Sequence, residues 1–161
     1  MMQTDVKSAY VKSSGILVTP IRARLKGCAV TSATSSLRNV AACDPTTVES
    51  GTYSQTGTTA TISITGHGLT NGQRVFVDFL TGTSRDGVYD ITYINANSFS
   101  VTTANSVSTS GTVNVYPDIY MEVDTYSTVG LSILIPGQGI LFPNGIFFGT
   151  GPSVTAMVYY G

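Results

Sequence analysis

The chain has 161 residues, enough for one ordinary domain or two small ones whose hydrophobic core needs no metal or disulfide to hold it. Charged residues make up 11% of it and apolar residues 42%, which excludes a disordered acidic or basic tail and describes a folded, weakly charged body. The net charge of −1 is unevenly placed: six basic residues stand against the single acid Asp5 through Arg38, and two stand against eight acids beyond it.

Serine and threonine number 42 and glycine 17, while good helix formers are scarce. That is strand-and-turn composition, and no long window holds apolar residues at helical spacing. An all-β fold follows. The basic amino-terminal residues Lys7, Lys12, Arg22, Arg24, Lys26 and Arg38 are dispersed and lack an aromatic stacking platform, so no nucleic acid is expected as a partner. They read instead as a solvated strand face or one that docks on an acidic protein. Strands are predicted over residues 9–11 and 15–18. After Pro20, apolar and basic residues alternate over 21–26, which should set Arg22, Arg24 and Lys26 on one face. Residues 13–20 offer no secretory apolar segment, so synthesis in a reducing cytoplasm is expected. Cys28 and Cys43 are then expected as two buried thiols, with a disulfide between them as the alternative. With His67 the only histidine and no paired cysteines, a zinc site lacks ligands, and no cofactor is expected.

The character changes near Gly51. Residues 59–65 alternate cleanly, Gly66, Gly68 and Gly72 mark turns around Leu69, and strands are predicted over 74–79, 88–94 and 98–103, with Gly87 turning the chain into the second of these. This spacing suits a small barrel or meander. A polar stretch over 104–111 leads to short strands at 112–116 and 119–123. From Thr125 to the end no residue is charged, yet prolines and glycines interrupt the run too often for a membrane-spanning helix. No membrane is expected as a partner. Buried strands remain, predicted over 131–135, 139–142, 145–148 and 153–160. The composition shifts divide the chain into a host domain, residues 1–50 plus 117–161, and an inserted small β-barrel lobe, 51–116. The host is expected to be a sandwich or jelly-roll-like domain.

The segments GHGLTNGQRVFVDF and DGVYDITYINANSFSVTT carry a recognisable pattern, with Gly68, Leu69, Gly72, Val75, Gly87, Tyr89, Phe99 and Val101 at its defining places. They resemble a small β module that recurs in virion proteins of tailed bacteriophages, especially marine and cyanobacterial ones. The flanking RLKGCAV and LSILIPGQGILFPNGIFF segments, with the tyrosine-glycine ending, are similar to a short phage virion protein family. The resemblance implies a building block of the particle, found in the virion and assembled in the host bacterium. Its partners would be other virion proteins, either the major capsid protein or tail and neck proteins, and copies of itself in a homo-oligomer.

Enzymatic chemistry has few candidates. There is no nucleophile elbow, phosphate-loop lysine or zinc-protease helix motif, and Gly66, Gly68 and Gly72 precede a strand where a phosphate loop needs a helix. His67 sits between two glycines and reads as a turn residue, its spacing explained by the small neighbours and not by the imidazole. Among Asp78, Asp86, Asp90, Glu122 and Asp124, only Glu122 and Asp124 share one strand face, about 7 Å apart, as a glycoside-hydrolase pair would need. Tyr53, Tyr89, Tyr93, Tyr116, Tyr120 and Tyr126 are candidates for a glycan-binding surface. Phe142, Phe147, Phe148, Tyr159 and Tyr160 cluster away from charge and are expected at a subunit interface. The expected role is therefore non-enzymatic: a head decoration or cement protein docking through Arg22, Arg24 and Lys26. The alternatives are a tail, neck or fibre-attachment protein and, from another class, a glycan-binding receptor module.

Overall fold

Alternation of apolar and polar residues sets the strands of the computed structural model, which describes residues 5–12, 14–34, 36–125 and 130–161. The chain divides into two compact units, residues 1–46 with 120–161 and residues 47–119. These boundaries differ by a few residues from the expected 50/51 and 116/117. The long ribbon of the second unit begins at Glu49, so the polar residues just before Gly51 already belong to a strand.

The first unit holds β1 (Lys7–Lys12), β2 (Ile16–Thr19), β3 (Ala23–Ser32) and β4 (Arg38–Cys43). After the second unit come β10 (Ile119–Thr125), β11 (Leu131–Leu134), β12 (Ile140–Phe142), β13 (Ile146–Thr150) and β14 (Val154–Tyr160). One sheet runs β1-β14-β3, with β11 and β12 end to end along the far edge of β3; the other runs β10-β4-β13-β2. Counting β11 and β12 as one interrupted strand gives eight. The first, eighth, third and sixth form one sheet, and the second, seventh, fourth and fifth form the other. This is the strand order of a jelly roll, in which successive strands alternate between two facing sheets except for the fourth and fifth, which are neighbours in one sheet. Val11, Leu25, Cys28, Val30, Phe142, Val154, Ala156 and Val158 from the first sheet meet Val40, Ala42, Val123, Ile146 and Phe148 from the second in one core. Both cysteines are buried with no disulfide between them, and burial pushes the Cys28 thiol up to about 11, leaving it an inert core residue.

The second unit is built on a ribbon of β5 (Glu49–Ser63) and β9 (Ser98–Tyr116), with β6 (Arg74–Phe79), β7 (Gly87–Asp90) and β8 (Thr92–Asn95) between them in sequence. Residues 104–111, expected as a polar connection, are strand. Their serines and threonines pair with β5 on a ribbon with little buried face there, so no apolar alternation announces them. Gly57 pairs with Val107 but Thr59 with Thr102, so β9 bulges widely opposite Thr58 and both halves of the ribbon contribute to one core. β6 pairs with the carboxyl-terminal half of β9 and with β7; β8 pairs with the amino-terminal half of β9. Ile91, the single residue between β7 and β8, completes this circuit and gives the lobe its small-barrel form.

The bulge is held by a polar knot. Gln55 is buried, and its Nε2 lies 2.8 Å from Gly57 O, 2.7 Å from Thr103 Oγ1 and 2.7 Å from Asn105 O, while its Oε1 accepts from Ser84 Oγ. The carbonyls freed where the ladder breaks thus find a donor inside the fold.

Candidate docking surface

β3 begins at Ala23, so Arg22 lies just before the strand and is exposed, whereas Arg24 and Lys26 are half-buried on it. A register shift between Tyr159 and Tyr160 makes Lys26 the extra residue of a bulge, with Gly27 opposite Tyr159 and Leu25 opposite Tyr160. Arg24 and Lys26 come together in a hollow of about 580 Å³ that Asp5, Val6, Lys7, Gln138 and Gly161 also line. Arg22 falls outside it, in an adjoining hollow of about 240 Å³ that shares Arg24 and Gly161. The expected single face of three basic residues is thus two linked hollows with Arg24 common to both.

The walls are fixed by main-chain bonds. Arg24 N–H donates to Gly161 O at 2.8 Å, and Gly161 N–H returns a bond to Arg24 O at 3.0 Å. The turn between β11 and β12 is clamped onto β3: Ile135 N–H donates to Lys26 O at 2.9 Å, and Gly139, at φ +76°, lies so close to Leu25 O that a Cβ has no room. Lys26 Nζ donates to Gln138 O at 2.9 Å and Arg24 Nη1 to Gly139 O at 3.4 Å. Lys7, Asp5 and Gln138 were not singled out as docking residues. Lys7 belonged only to the general basic end, and nothing local in sequence reveals that β1, β3 and the β11–β12 turn meet at one end of a sheet.

The aromatic cluster expected at a subunit interface is corrected by burial. Phe142 and Phe148 are fully buried in the jelly-roll core, and Phe147 is buried with its ring over Gly15, where a Cβ has no room. Strands buried on both faces read as continuous apolar runs, indistinguishable in sequence from a charge-free contact patch. Tyr160 is half-buried against the same core, which leaves Tyr159, 38% exposed, as the accessible member. It flanks Gly27 in one row with Leu134, which is 84% exposed, and Tyr10 lies one row away opposite Met157. That exposed apolar patch went unnoticed in sequence because its members come from three separate strands.

Gly66, Gly68 and Gly72 all take positive φ, at +67°, +63° and +79°, as turn glycines in the connection from β5 to β6, two strands that do not pair with each other. Gly87 is corrected: it is the first residue of β7, opposite Val77, and no positive φ is recorded there. His67 does more than fill a turn. Its buried ring accepts from Leu69 N–H at Nδ1 over 3.1 Å, so Nε2 carries the proton donated to Asn95 O at 2.9 Å, and the ring stands edge-on to Phe99.

Of the carboxylates, Asp90 forms an exposed ion pair with Arg74 at 3.0 Å. Glu122 and Asp124 do share a partner: Asn39 Nδ2 lies 3.4 Å from Glu122 Oε1 and 2.6 Å from Asp124 Oδ1, tying the pair to the neighbouring strand β4. Burial raises Asp78, and it pushes Asp86 up to about 7, against the pull of the Phe79 N–H on its Oδ1 and with the Asp78 charge adding to the rise. Among the described residues no group of three or more His, Cys, Asp or Glu side chains gathers that could hold a metal. No helix there is long and apolar enough to cross a membrane.

The tyrosines proposed for glycans are scattered. Tyr53 and Tyr116 are buried, Tyr53 donating to Thr81 O at 2.8 Å, and Tyr89 donates to Arg85 O at 2.5 Å. Tyr93 and Tyr120 are exposed but belong to different units, and Tyr126 lies outside the described residues. No protein-family model matches the chain, and no curated protein sequence matches it.

Proposed function

We propose that this chain is a non-enzymatic structural component of a tailed-bacteriophage particle, a head decoration or cement protein that attaches in many copies to the shell. The observation that carries the docking part is the concentration of Lys7, Arg24 and Lys26 around one walled hollow in a chain that is otherwise poor in charge. The jelly-roll unit supports the reading in architecture, since that double-sheet form serves viral capsid proteins and lectins alike. The phage setting comes from the resemblance of the lobe segments. Val75, Phe99 and Val101 of that pattern are core residues, and Gly68 and Gly72 are positive-φ turns, so the pattern specifies a scaffold and carries no reaction chemistry.

Attachment through the basic hollow is electrostatic and should weaken with salt. The partner is an acidic surface of the major capsid protein, with copies of the chain as further neighbours across the exposed Tyr10, Leu134 and Tyr159 patch. Mass spectrometry of purified particles, quantified against the major shell protein, tests the role. Copies on the order of hundreds fit decoration, whereas about six to eighteen would move the protein to the tail, neck or fibre attachment. Complete absence from particles would remove the virion reading.

A further inference from the structure

We propose that the hollow bounded by Lys7, Arg24, Lys26, Asp5 and Gln138 is a pocket for an extended acidic protein segment, one presenting at least two neighbouring carboxylates. This rests on the docking role above and names its ligand. At about 580 Å³ the hollow is the size of an ordinary ligand pocket, too large for a single ion and wide enough for several side chains. Three cationic side chains outweigh the Asp5 carboxylate and the Gly161 carboxyl group there, so the pocket keeps a net positive charge and favours a negatively charged ligand.

The donors are held in advance. Lys26 and Arg24 each spend one donor on the clamped turn, at Gln138 O and Gly139 O, and keep two ammonium and four guanidinium N–H groups unspent among the described residues. Holding the heads in place beforehand lowers the entropy lost on binding. Arg24 in addition offers the planar fork that takes a carboxylate through two parallel bonds.

Asp5 decides between ligands. A nucleic-acid backbone brings only acceptors at its phosphates, inorganic phosphate brings at most one or two P–O–H donors on a single compact ion, and both meet repulsion from Asp5. A peptide brings backbone N–H donors between its carboxylates, and the Asp5 carboxylate together with the Gln138 side-chain amide oxygen can accept them. The composition of the pocket therefore matches an acidic polypeptide and disfavours phosphate.

The full chain is titrated with a fluorescent hexaglutamate peptide at low and moderate salt, following anisotropy. Saturable binding that weakens as salt rises is expected, with the paired substitution R24Q and K26Q reducing affinity at least about tenfold. Lys12→Gln, a basic β1 residue outside the hollow, should change it less than about twofold. If the pair disturbs folding, seen as a lost far-ultraviolet spectrum, Lys7→Gln alone reads the same site and should weaken binding about three- to fivefold. Failure of the wild-type chain to bind, equal binding by wild type and hollow variants, or displacement of the peptide by equimolar inorganic phosphate would each overturn the pocket. Particle content separates the two claims: a chain abundant in virions but indifferent to the peptide loses the pocket alone, and a peptide-binding chain absent from virions loses the virion role alone.

Discussion

The jelly-roll unit and the lobe close their cores in different ways. In the first, two sheets face one another, and the core is drawn from strands at both ends of the chain, with Val11 beside Ala156 and Leu25 in one sheet and Phe148 in the other. In the second, one ribbon bends at a bulge until its own two halves enclose Tyr53, Phe99, Val101 and Val113, and the carbonyls exposed by the bend are satisfied by a buried glutamine. Two facing sheets need apolar inner surfaces and little else. A folded ribbon needs a specific polar residue at its corner, because a broken ladder leaves main-chain groups that only hydrogen bonding can accommodate.

The largest test removes one ring from each core. Phe148→Ala should destabilise the jelly-roll unit, and Phe99→Ala the lobe, each by about 3–5 kcal/mol. Hydrogen exchange resolved along the chain should place each loss in its own unit. Equal loss of protection in both units from either substitution would break the distinction between two cores.

Next in size is Gln55→Leu, which keeps the volume but abandons the carbonyl of Gly57 and leaves Asn105 O to the Thr103 hydroxyl alone. A loss of about 2–3 kcal/mol in urea unfolding is expected, confined to the lobe. A change under about 0.5 kcal/mol would mean the bend is held by packing, as in the jelly roll, and the contrast would disappear.

The smallest effect is a pH dependence peculiar to the lobe. Because the Asp86 carboxyl is raised to about 7 from its ordinary 3.8, the folded lobe holds a proton that the unfolded chain releases between those values. The stability contributed is complete below pH 3.8 and is lost as pH rises through about 7. Asp86→Asn keeps an acceptor for the Phe79 N–H and removes the titration. It should raise the melting temperature at pH 8 by an amount corresponding to about 1 kcal/mol, discounted for partial exposure, and flatten the slope between pH 4 and 7. Identical slopes in variant and wild type would assign the pH dependence elsewhere.

Particular residues show how much of this was legible in advance. Gly66, Gly68 and Gly72 were readable as turns, since a positive φ selects glycine locally. Gly87 was misread: a glycine at the start of a strand looks the same in sequence as one in the preceding turn. The basic alternation over 21–26 pointed to the strand carrying Arg24 and Lys26, but the bulge that shifts Lys26, and the turn that walls the hollow, depend on partners distant in the chain. His67 was legible as a turn residue; that its imidazole ties Leu69 of the turn to Asn95 of β8 was not, because Asn95 approaches only in the folded lobe.

By itself the sequence determined that this protein is built of strands, roughly where they turn, and where a second unit interrupts the first. Those properties follow from side-chain period and backbone preference within a few residues of each position. Only the tertiary structure decided that eight strands are shared between two sheets in jelly-roll order, that Phe142 and Phe148 lie inside and Leu134 outside, and that Lys7 and Asp5 meet Arg24 and Lys26. Pairing between the chain's opposite ends, as of β1 with β14, is fixed by how all the buried faces fit at once, and no local pattern encodes it.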